Sequence, residues 1–183
     1  MKSFLSFIFE VAKIVIIALA IVIPIRYFLF QPFIVRGQSM EPNFSDGNYL
    51  IIDELSYRFR PPQRGEIIVF RSPTDISSRY IKRIIGLPGE TVQVRDGEVA
   101  VYNNGEPIML DEDYLPGDIE TSGDFQVFLE ADKFFVMGDN RPASYDSRRF
   151  GPLPKENIIG RVYLRAWPFD VLDRIETPVY QGL

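Results

Sequence analysis

Hydrophobic and polar positions divide the chain into an apolar N-terminal run and a longer part that alternates with a period of two. Residues 11–30 read VAKIVIIALAIVIPIRYFLF, and no charge lies between Lys13 and Arg26. A helix of about 20 mainly apolar residues can span a bilayer, and basic side chains at its ends can extend to the headgroups. We therefore expect a short N-terminal segment at 1–10 and an uncleaved membrane anchor at 11–30.

A cleaved signal peptide and a buried core helix are the alternatives to an anchor. Ala-Leu-Ala at 18–20 is typical of a signal-peptide cleavage site, but the bulky apolar residues that follow are unusual for a mature N-terminus. A buried core helix would be amphipathic, and this run is not. Lys2 and Lys13 precede the run while Arg26 and Arg36 follow it, so the positive-inside rule does not fix its orientation.

The remainder of the chain is predicted to be mostly β. Short alternating segments are separated by turn residues, including the hairpin signals Asp96-Gly97 and Asn104-Gly105. No long helix is apparent after the N-terminal run. This pattern favours a sandwich or barrel, with strands at 48–53, 65–72, 79–86, 133–139 and 157–169 and several short strands within 91–108.

Composition and charge exclude several classes of function. The chain has no histidine and no cysteine, which excludes Ser–His–Asp and thiol catalysis, typical zinc sites and iron–sulfur ligation. A net charge of −5 gives no basic surface for nucleic acid. We expect no metal and no cofactor.

The stretch 91–133 is strongly acidic, with eleven acidic residues against two basic ones. A calcium loop starting at Asp111 fails because Pro116 stands where an EF-hand loop requires glycine. The stretch is therefore interpreted as a solvated acidic insert.

A possible nucleophile lies in the turn 35–43, VRGQSMEPN, where Ser39 needs a neighbouring base. Arginine stays protonated, so lysine is the best candidate. Lys155 lies in a proline-rich loop and Lys133 among acids, whereas strand alternation places Lys82 on one face with Tyr80. Burial there would lower the lysine pKa by about 3–5 units and supply a neutral amine.

Neither Ser39 nor Lys82 is informative alone, since a surface serine and a lysine on a strand are both common. Alternation places Arg83 on the opposite face, so an Arg83→Lys exchange is expected to cost far less than a change at Lys82.

Five ordered segments together resemble the bacterial type I signal peptidases, which are membrane-anchored Ser–Lys endopeptidases. The segments are QPFIVRGQSMEPNFSDGNYLIID, RGEIIVF, RYIKRIIGLPGE, FFVMGDNRPASYDSR and IGRVYLRAWPFD. The resemblance covers the chain from the anchor to about residue 170, and GDNRPASYDSR is its most specific part.

The resemblance implies roles for particular residues. Ser39 matches the nucleophile and Lys82 the general base. Ser144 matches a serine that hydrogen-bonds the lysine ammonium, and Asp146 with Arg148 matches a supporting ion pair. The residues that match the walls of the substrate pockets are Phe33, Val35, Met40, Tyr80 and Ile81.

The resemblance also implies an architecture. We expect an antiparallel β-sheet catalytic core from 31–90 and 134–175, with a smaller β region inserted at 91–133 and a tail at 176–183. The family's catalytic domain faces away from the cytoplasm, which predicts a single-pass protein of the bacterial plasma membrane with a short cytoplasmic N-terminus at 1–10. The expected partners are the lipid bilayer and the signal peptides of exported preproteins, which the family cuts after small, Ala-x-Ala-like residues.

Two positions depart from the usual family pattern. Asn43 replaces a threonine after the nucleophile, and Gly37 replaces a serine whose hydroxyl joins the oxyanion hole in some members. The hole would then depend mainly on the backbone N–H of Ser39.

Three rival classes of protein agree less well with the sequence. A β-lactamase-like enzyme would need Ser-x-x-Lys, and Pro42 follows instead of lysine. A self-cleaving repressor-type protease uses the same dyad but would carry a DNA-binding domain and no anchor. A membrane-anchored binding module would not need both Ser39 and Lys82.

Overall fold

The computed structural model describes residues 2–28, 30–103, 105–117, 119–178 and 180, and it contains an N-terminal helix followed by two antiparallel β-sheets. The elements in chain order are α1 (Lys2–Phe28), β1 (Phe30–Ile34), β2 (Tyr49–Asp53), β3 (Ile67–Arg71), β4 (Arg79–Gly86), β5 (Thr91–Arg95), β6 (Glu98–Asn103), β7 (Glu106–Met109), β8 (Phe125–Phe128), β9 (Lys133–Met137), α2 (Ser147–Phe150), β10 (Leu153–Pro154), β11 (Ile158–Trp167) and β12 (Asp173–Arg174).

The larger sheet has eight strands in the order β1-β2-β11-β3-β4-β9-β10, and β12 pairs with β11. Side chains of β4 alternate between its faces, as expected for a strand buried on both sides. Ile81 joins a buried cluster with Val35 and Met40, whereas Ile84 joins a second cluster on which Tyr80 packs. The sheet therefore has a hydrophobic core on each face.

The smaller sheet has four strands in the order β7-β6-β5-β8 and lies within the acidic stretch 91–133. Asp96 and Gly97 join β5 to β6 with φ values of 52° and 85°, the positive values that a tight hairpin turn needs. Asn104 of the second hairpin signal lies outside the described residues. Val92 and Val94 pack against Phe135 of the larger sheet, so the two sheets share a buried cluster.

The N-terminal helix α1 exposes its apolar side chains on all sides over residues 6–22. Phe7, Ile14 and Ile16 are each more than 60% exposed. No helix in the described ranges is long and apolar enough to cross a membrane. Residues 29, 179 and 181–183, which belong to the expected anchor and tail, lie outside those ranges.

Candidate active site

Ser39 lies in a tight turn between β1 and β2. Gly37 enters this turn at φ 86°, a value that favours glycine, and its N–H donates to Asp46 Oδ1 over 2.7 Å. Met40 is buried and its carbonyl accepts from the N–H of Phe44 over 2.8 Å. The apolar residues of the turn are therefore fixed in the core while Ser39 stays half-buried beside it.

Lys82 lies on β4 directly opposite Ile68 of β3, and only 3% of its surface is exposed. Its Nζ donates to Ser39 Oγ over 2.7 Å and to the carbonyl of Ile81 over 2.8 Å. The structure therefore brings together the two residues that the sequence selected as nucleophile and base, 43 positions apart.

Burial lowers the pKa of Lys82 from 10.5 to about 8, because the charged amine has lost its hydration. The carboxylates of Asp146 and Asp139 act in the opposite direction, while the cation of Arg148 lowers the pKa further. An appreciable fraction of the amine is therefore neutral just above pH 7.

A loop at 138–146 joins β9 to α2 and packs against the Ser39 turn. The N–H of Asn140 donates to the carbonyl of Ser39 over 3.1 Å, and its side-chain amide donates to the carbonyl of Gln38 over 3.0 Å. A Cβ at Gly138 would lie 2.3 Å from both the Ser39 carbonyl oxygen and Ser144 Oγ. Only glycine allows this approach of the two backbones.

Asp146 and Arg148 form an ion pair at the end of this loop. Arg148 Nη2 lies 2.8 Å from Asp146 Oδ2, and the aspartate is fully buried. Burial by itself raises the pKa of Asp146, but hydrogen bonds from Arg148 and from the N–H of Gly138 keep it below the usual value. The carboxylate also accepts from the N–H of Arg148 at the start of α2.

Ser144 is buried in the same loop, with 6% of its surface exposed. Its hydroxyl contributes to lowering the pKa of Asp146, yet its oxygen makes no hydrogen bond of good geometry with any described residue. The expected bond from Lys82 to Ser144 is absent from the described part of the chain, in which Nζ bonds only Ser39 and Ile81.

Arg83 is a residue whose importance the sequence analysis missed. It does point to the opposite face from Lys82, but it is buried and forms a two-point ion pair with Asp139, at 2.9 and 2.7 Å. It also donates to the carbonyl of Gly65 over 3.0 Å. A lysine cannot reproduce this fork, so Arg83→Lys would lose buried hydrogen bonds. The expectation that it costs far less than a change at Lys82 stays a prediction.

Asn43, the departure noted in the sequence, is also part of this network. Its side-chain amide donates to Asp139 Oδ2 over 2.9 Å and to the carbonyl of Tyr114 over 2.8 Å. Asparagine favours turns through its local hydrogen bonds, but nothing in the sequence indicated these partners, which lie 96 and 71 positions away.

The five expected pocket residues lie around the site with different exposure. Val35, Met40 and Ile81 are buried in one core cluster, with 1%, 0% and 4% exposed, and Phe33 packs partly buried against them. Tyr80 packs on the opposite face of β4 and makes an edge contact with the exposed ring of Tyr145. Three of the five therefore have almost no surface open to a ligand.

Sequence comparisons identify the family. The model for "Signal peptidase, peptidase S26" matches residues 8–167. A signal peptidase I of Leptolyngbya laminosa is 40% identical over 180 residues, covering 92% of this chain and 84% of that protein. A probable signal peptidase I-2 of Synechocystis is 42% identical over 167 residues, covering 87% of this chain and 73% of that protein.

A crystal structure of a signal peptidase I from Enterococcus faecalis is 36% identical and superposes with a TM-score of 0.48, covering 56% of this chain and 97% of that one. From the family model and the curated relatives, the chain belongs to the signal peptidase family S26. It is accordingly an enzyme, a serine endopeptidase.

Proposed function

We propose that the protein removes N-terminal signal peptides from exported preproteins, with Ser39 as nucleophile and Lys82 as general base. The observation that carries this proposal is the 2.7 Å contact between Ser39 Oγ and the Nζ of a lysine that is only 3% exposed. A serine hydroxyl becomes reactive only when a neighbouring base accepts its proton. The lowered pKa of Lys82, about 8, makes the neutral amine available for that task.

The reaction proceeds through an acyl-enzyme. Neutral Lys82 takes the proton of Ser39 Oγ as the oxygen attacks the scissile carbonyl carbon. The ammonium then protonates the leaving nitrogen, the C–N bond breaks, and an ester remains on Ser39. Lys82 next takes a proton from water, which attacks the ester, and Ser39 regains its proton from the ammonium when the ester bond breaks.

The negative charge on the carbonyl oxygen requires hydrogen-bond donors. In the described part of the chain the N–H of Ser39 donates to no acceptor, which supports its assignment to the oxyanion hole. Gly37 has no hydroxyl to contribute. Asp146 and Arg148 hold the 138–146 loop beside Lys82, and Ser144 is proposed to bond the ammonium when it forms.

The substrate is an extended peptide that adds to β4. Residues 79–82 of this strand pair with β3 along one edge, whereas pairing with β9 begins only at Arg83. Among the described strands none occupies the second edge of 79–82, next to Lys82. Main-chain hydrogen bonds along a free edge supply affinity without depending on sequence.

Specificity for small residues is proposed to arise from shallow pockets beside this edge. Bulky side chains would clash with apolar walls that are already packed into the core. The accessible walls are assigned to Phe33 and Tyr80, which are partly exposed. Val35, Met40 and Ile81 would support the pockets from within the core.

We further propose that α1 attaches the enzyme to the plasma membrane, as a single-pass anchor with both sheets on the extracytoplasmic side. The support is the apolar run at 11–30 and the exposure of the side chains at 11–22. Attachment would raise the effective concentration of membrane-bound preproteins at the site.

Exchange of the nucleophile tests the proposal. Ser39→Ala should lower kcat on a preprotein in detergent by roughly three orders of magnitude or more, because the reaction loses its nucleophile. Ser45→Ala is the matched control, since Ser45 is exposed in the same turn region, and its kcat should stay within about twofold of wild type. Ser39→Ala protein that is folded and still cleaves the preprotein would place the nucleophile elsewhere.

A further inference from the structure

A short part of the acidic insert is not solvated. Residues 111–116, which we call the acidic strap, lie in irregular chain between β7 and β8. Asp111 and Asp113 are exposed, but only 14% of the Glu112 side chain is. The expectation of a solvated insert is therefore wrong at Glu112, and a carboxylate leaves water only where a partner compensates the lost hydration.

That partner is Arg141 of the 138–146 loop, which is 1% exposed. Both terminal nitrogens of Arg141 donate to the Glu112 carboxylate, one of them over 2.9 Å, and Nη1 also donates to Thr121 Oγ1. Nε donates to the carbonyl of Gly138 over 3.2 Å. This two-point contact is the geometry in which a guanidinium and a carboxylate bind most strongly.

The strap has a second attachment at Tyr114. Its carbonyl accepts from the Asn43 side chain over 2.8 Å, and the same nitrogen donates to Asp139 over 2.9 Å. The guanidinium of Arg83 stacks 3.8 Å above the centre of the Tyr114 ring. The strap thus contacts the loop that carries Asp139 and Arg141 and the turn that carries Ser39.

We infer that the acidic strap is a positioning element for the Ser39–Lys82 pair, in which Glu112 acts through Arg141 and Tyr114 acts through Asn43. This inference rests on the proposed function. The strap holds the 138–146 loop, and the N–H of Asn140 in that loop donates to the carbonyl of Ser39 over 3.1 Å. Releasing the strap therefore loosens one of the contacts that fix the nucleophile.

The inference predicts an effect on kcat more than on KM. A displacement of about 1 Å between reacting groups can cost a factor of about 100 in rate. The peptide is proposed to bind along the free edge at residues 79–82, whereas the strap attaches to the 138–146 loop and to Asn43. Substrate binding should therefore change little.

The pH dependence supplies a readout that a general loss of stability would not move. Asp146 and Asp139 raise the pKa of Lys82, whereas Arg148 lowers it. Both aspartates belong to the 138–146 loop, and Arg148 is paired with Asp146. Loosening the loop moves these charges away and also lets water reach the amine, and burial is the largest cause of the lowered pKa. The pKa of Lys82 should then rise toward its ordinary value, and the acidic limb of kcat should move to higher pH.

The test compares Glu112→Gln with Asp113→Asn in the full chain in detergent, with a short signal-peptide substrate. Each exchange removes one negative charge at nearly constant size, and Asp113 is exposed. We expect kcat of Glu112→Gln to fall by about tenfold or more, with KM within about twofold and the acidic limb at higher pH. Asp113→Asn should match wild type.

A second pair of variants, at the Asn43–Tyr114 attachment, keeps the inference testable if Glu112→Gln does not fold. Asn43→Asp removes the donor to Tyr114 and places a second carboxylate beside Asp139, so kcat should fall by about tenfold or more. Asn43→Thr keeps one donor group and should retain most of the activity. Amide exchange at Asn140 should accelerate in Asn43→Asp and stay slow in Asn43→Thr.

Wild-type kcat and an unmoved acidic limb in either Glu112→Gln or Asn43→Asp would overturn the inference. A fall in kcat that only follows the folded fraction measured by circular dichroism would do the same. The two proposals fail separately. If Ser39→Ala is inactive and these variants are normal, only the strap inference fails, whereas an active Ser39→Ala removes the proposed function beneath it.

Discussion

The reactivity assigned to Lys82 depends on the loss of water around a single amine. The chain has five lysines, and the amine of Lys82 is buried beside Ser39 whereas Lys155 is exposed. Nearby carboxylates limit the fall in pKa but do not reverse it, so the amine titrates at about 8 and not at 10.5. An exposed lysine would remain protonated at neutral pH and could not accept the proton of Ser39.

Exchange of Lys82 for arginine distinguishes a role as general base from a role as structural cation. Lys82→Arg keeps the positive charge, but arginine does not release a proton at any working pH, so kcat should fall by roughly 100-fold or more. Lys155→Arg is the matched control and should be indistinguishable from wild type. Steady-state rates on a peptide in detergent decide the question, and near-normal turnover by Lys82→Arg would rule out a lysine base.

At the residue scale, the sequence predicted which face of β4 a side chain occupies, but it did not predict the distant hydrogen-bond partners of Arg83 and Asn43. The period of two along β4 is a local property, and it correctly placed Lys82 and Arg83 on opposite faces. The partners of Arg83 and Asn43 depend on how distant segments meet. Asp139 lies 56 positions from Arg83, and no local pattern encodes that distance.

The strands themselves were largely predictable from the sequence. The segment at 79–86 has the bounds of β4, and the hairpin signal Asp96-Gly97 lies between β5 and β6. Turn residues and alternation act within a few positions, which is why they could be recognised. The strand order was not predicted, because β11 inserts between β2 and β3 through contacts with residues about 100 positions away.

At the scale of elements, removal of α1 tests its role in attachment. Residues 1–28 precede β1, whose pairing with β2 begins at Phe30 opposite Asp53, so the sheet should persist without the helix. We expect kcat on a short peptide within about tenfold of wild type, and processing of a vesicle-bound preprotein reduced by about 10-fold to 100-fold. Equal losses on both substrates would show that α1 does more than attach the enzyme.

The whole molecule assembles the site from segments that lie far apart in the sequence. The Ser39 turn follows β1, Lys82 lies in β4, and the 138–146 loop follows β9 after the small sheet has been completed. Both sheets share a hydrophobic cluster, so the small sheet is joined to the larger sheet, which carries Lys82. The pKa of Lys82 therefore depends on several distant segments, because the residues that bury the amine and the carboxylates beside it come from different parts of the chain.

The pH dependence of kcat/KM for the wild-type protein tests the central claim most directly, because it reports the ionisation of the base in the free enzyme. Neutral amine forms as the pH rises, so the rate should increase about tenfold per pH unit well below the pKa of Lys82 and level off above about 8. The measurement uses a peptide substrate in detergent from pH 6 to about pH 10. A rate that stays constant over this range, or a midpoint near the ordinary lysine value of 10.5, would contradict a buried lysine as the base.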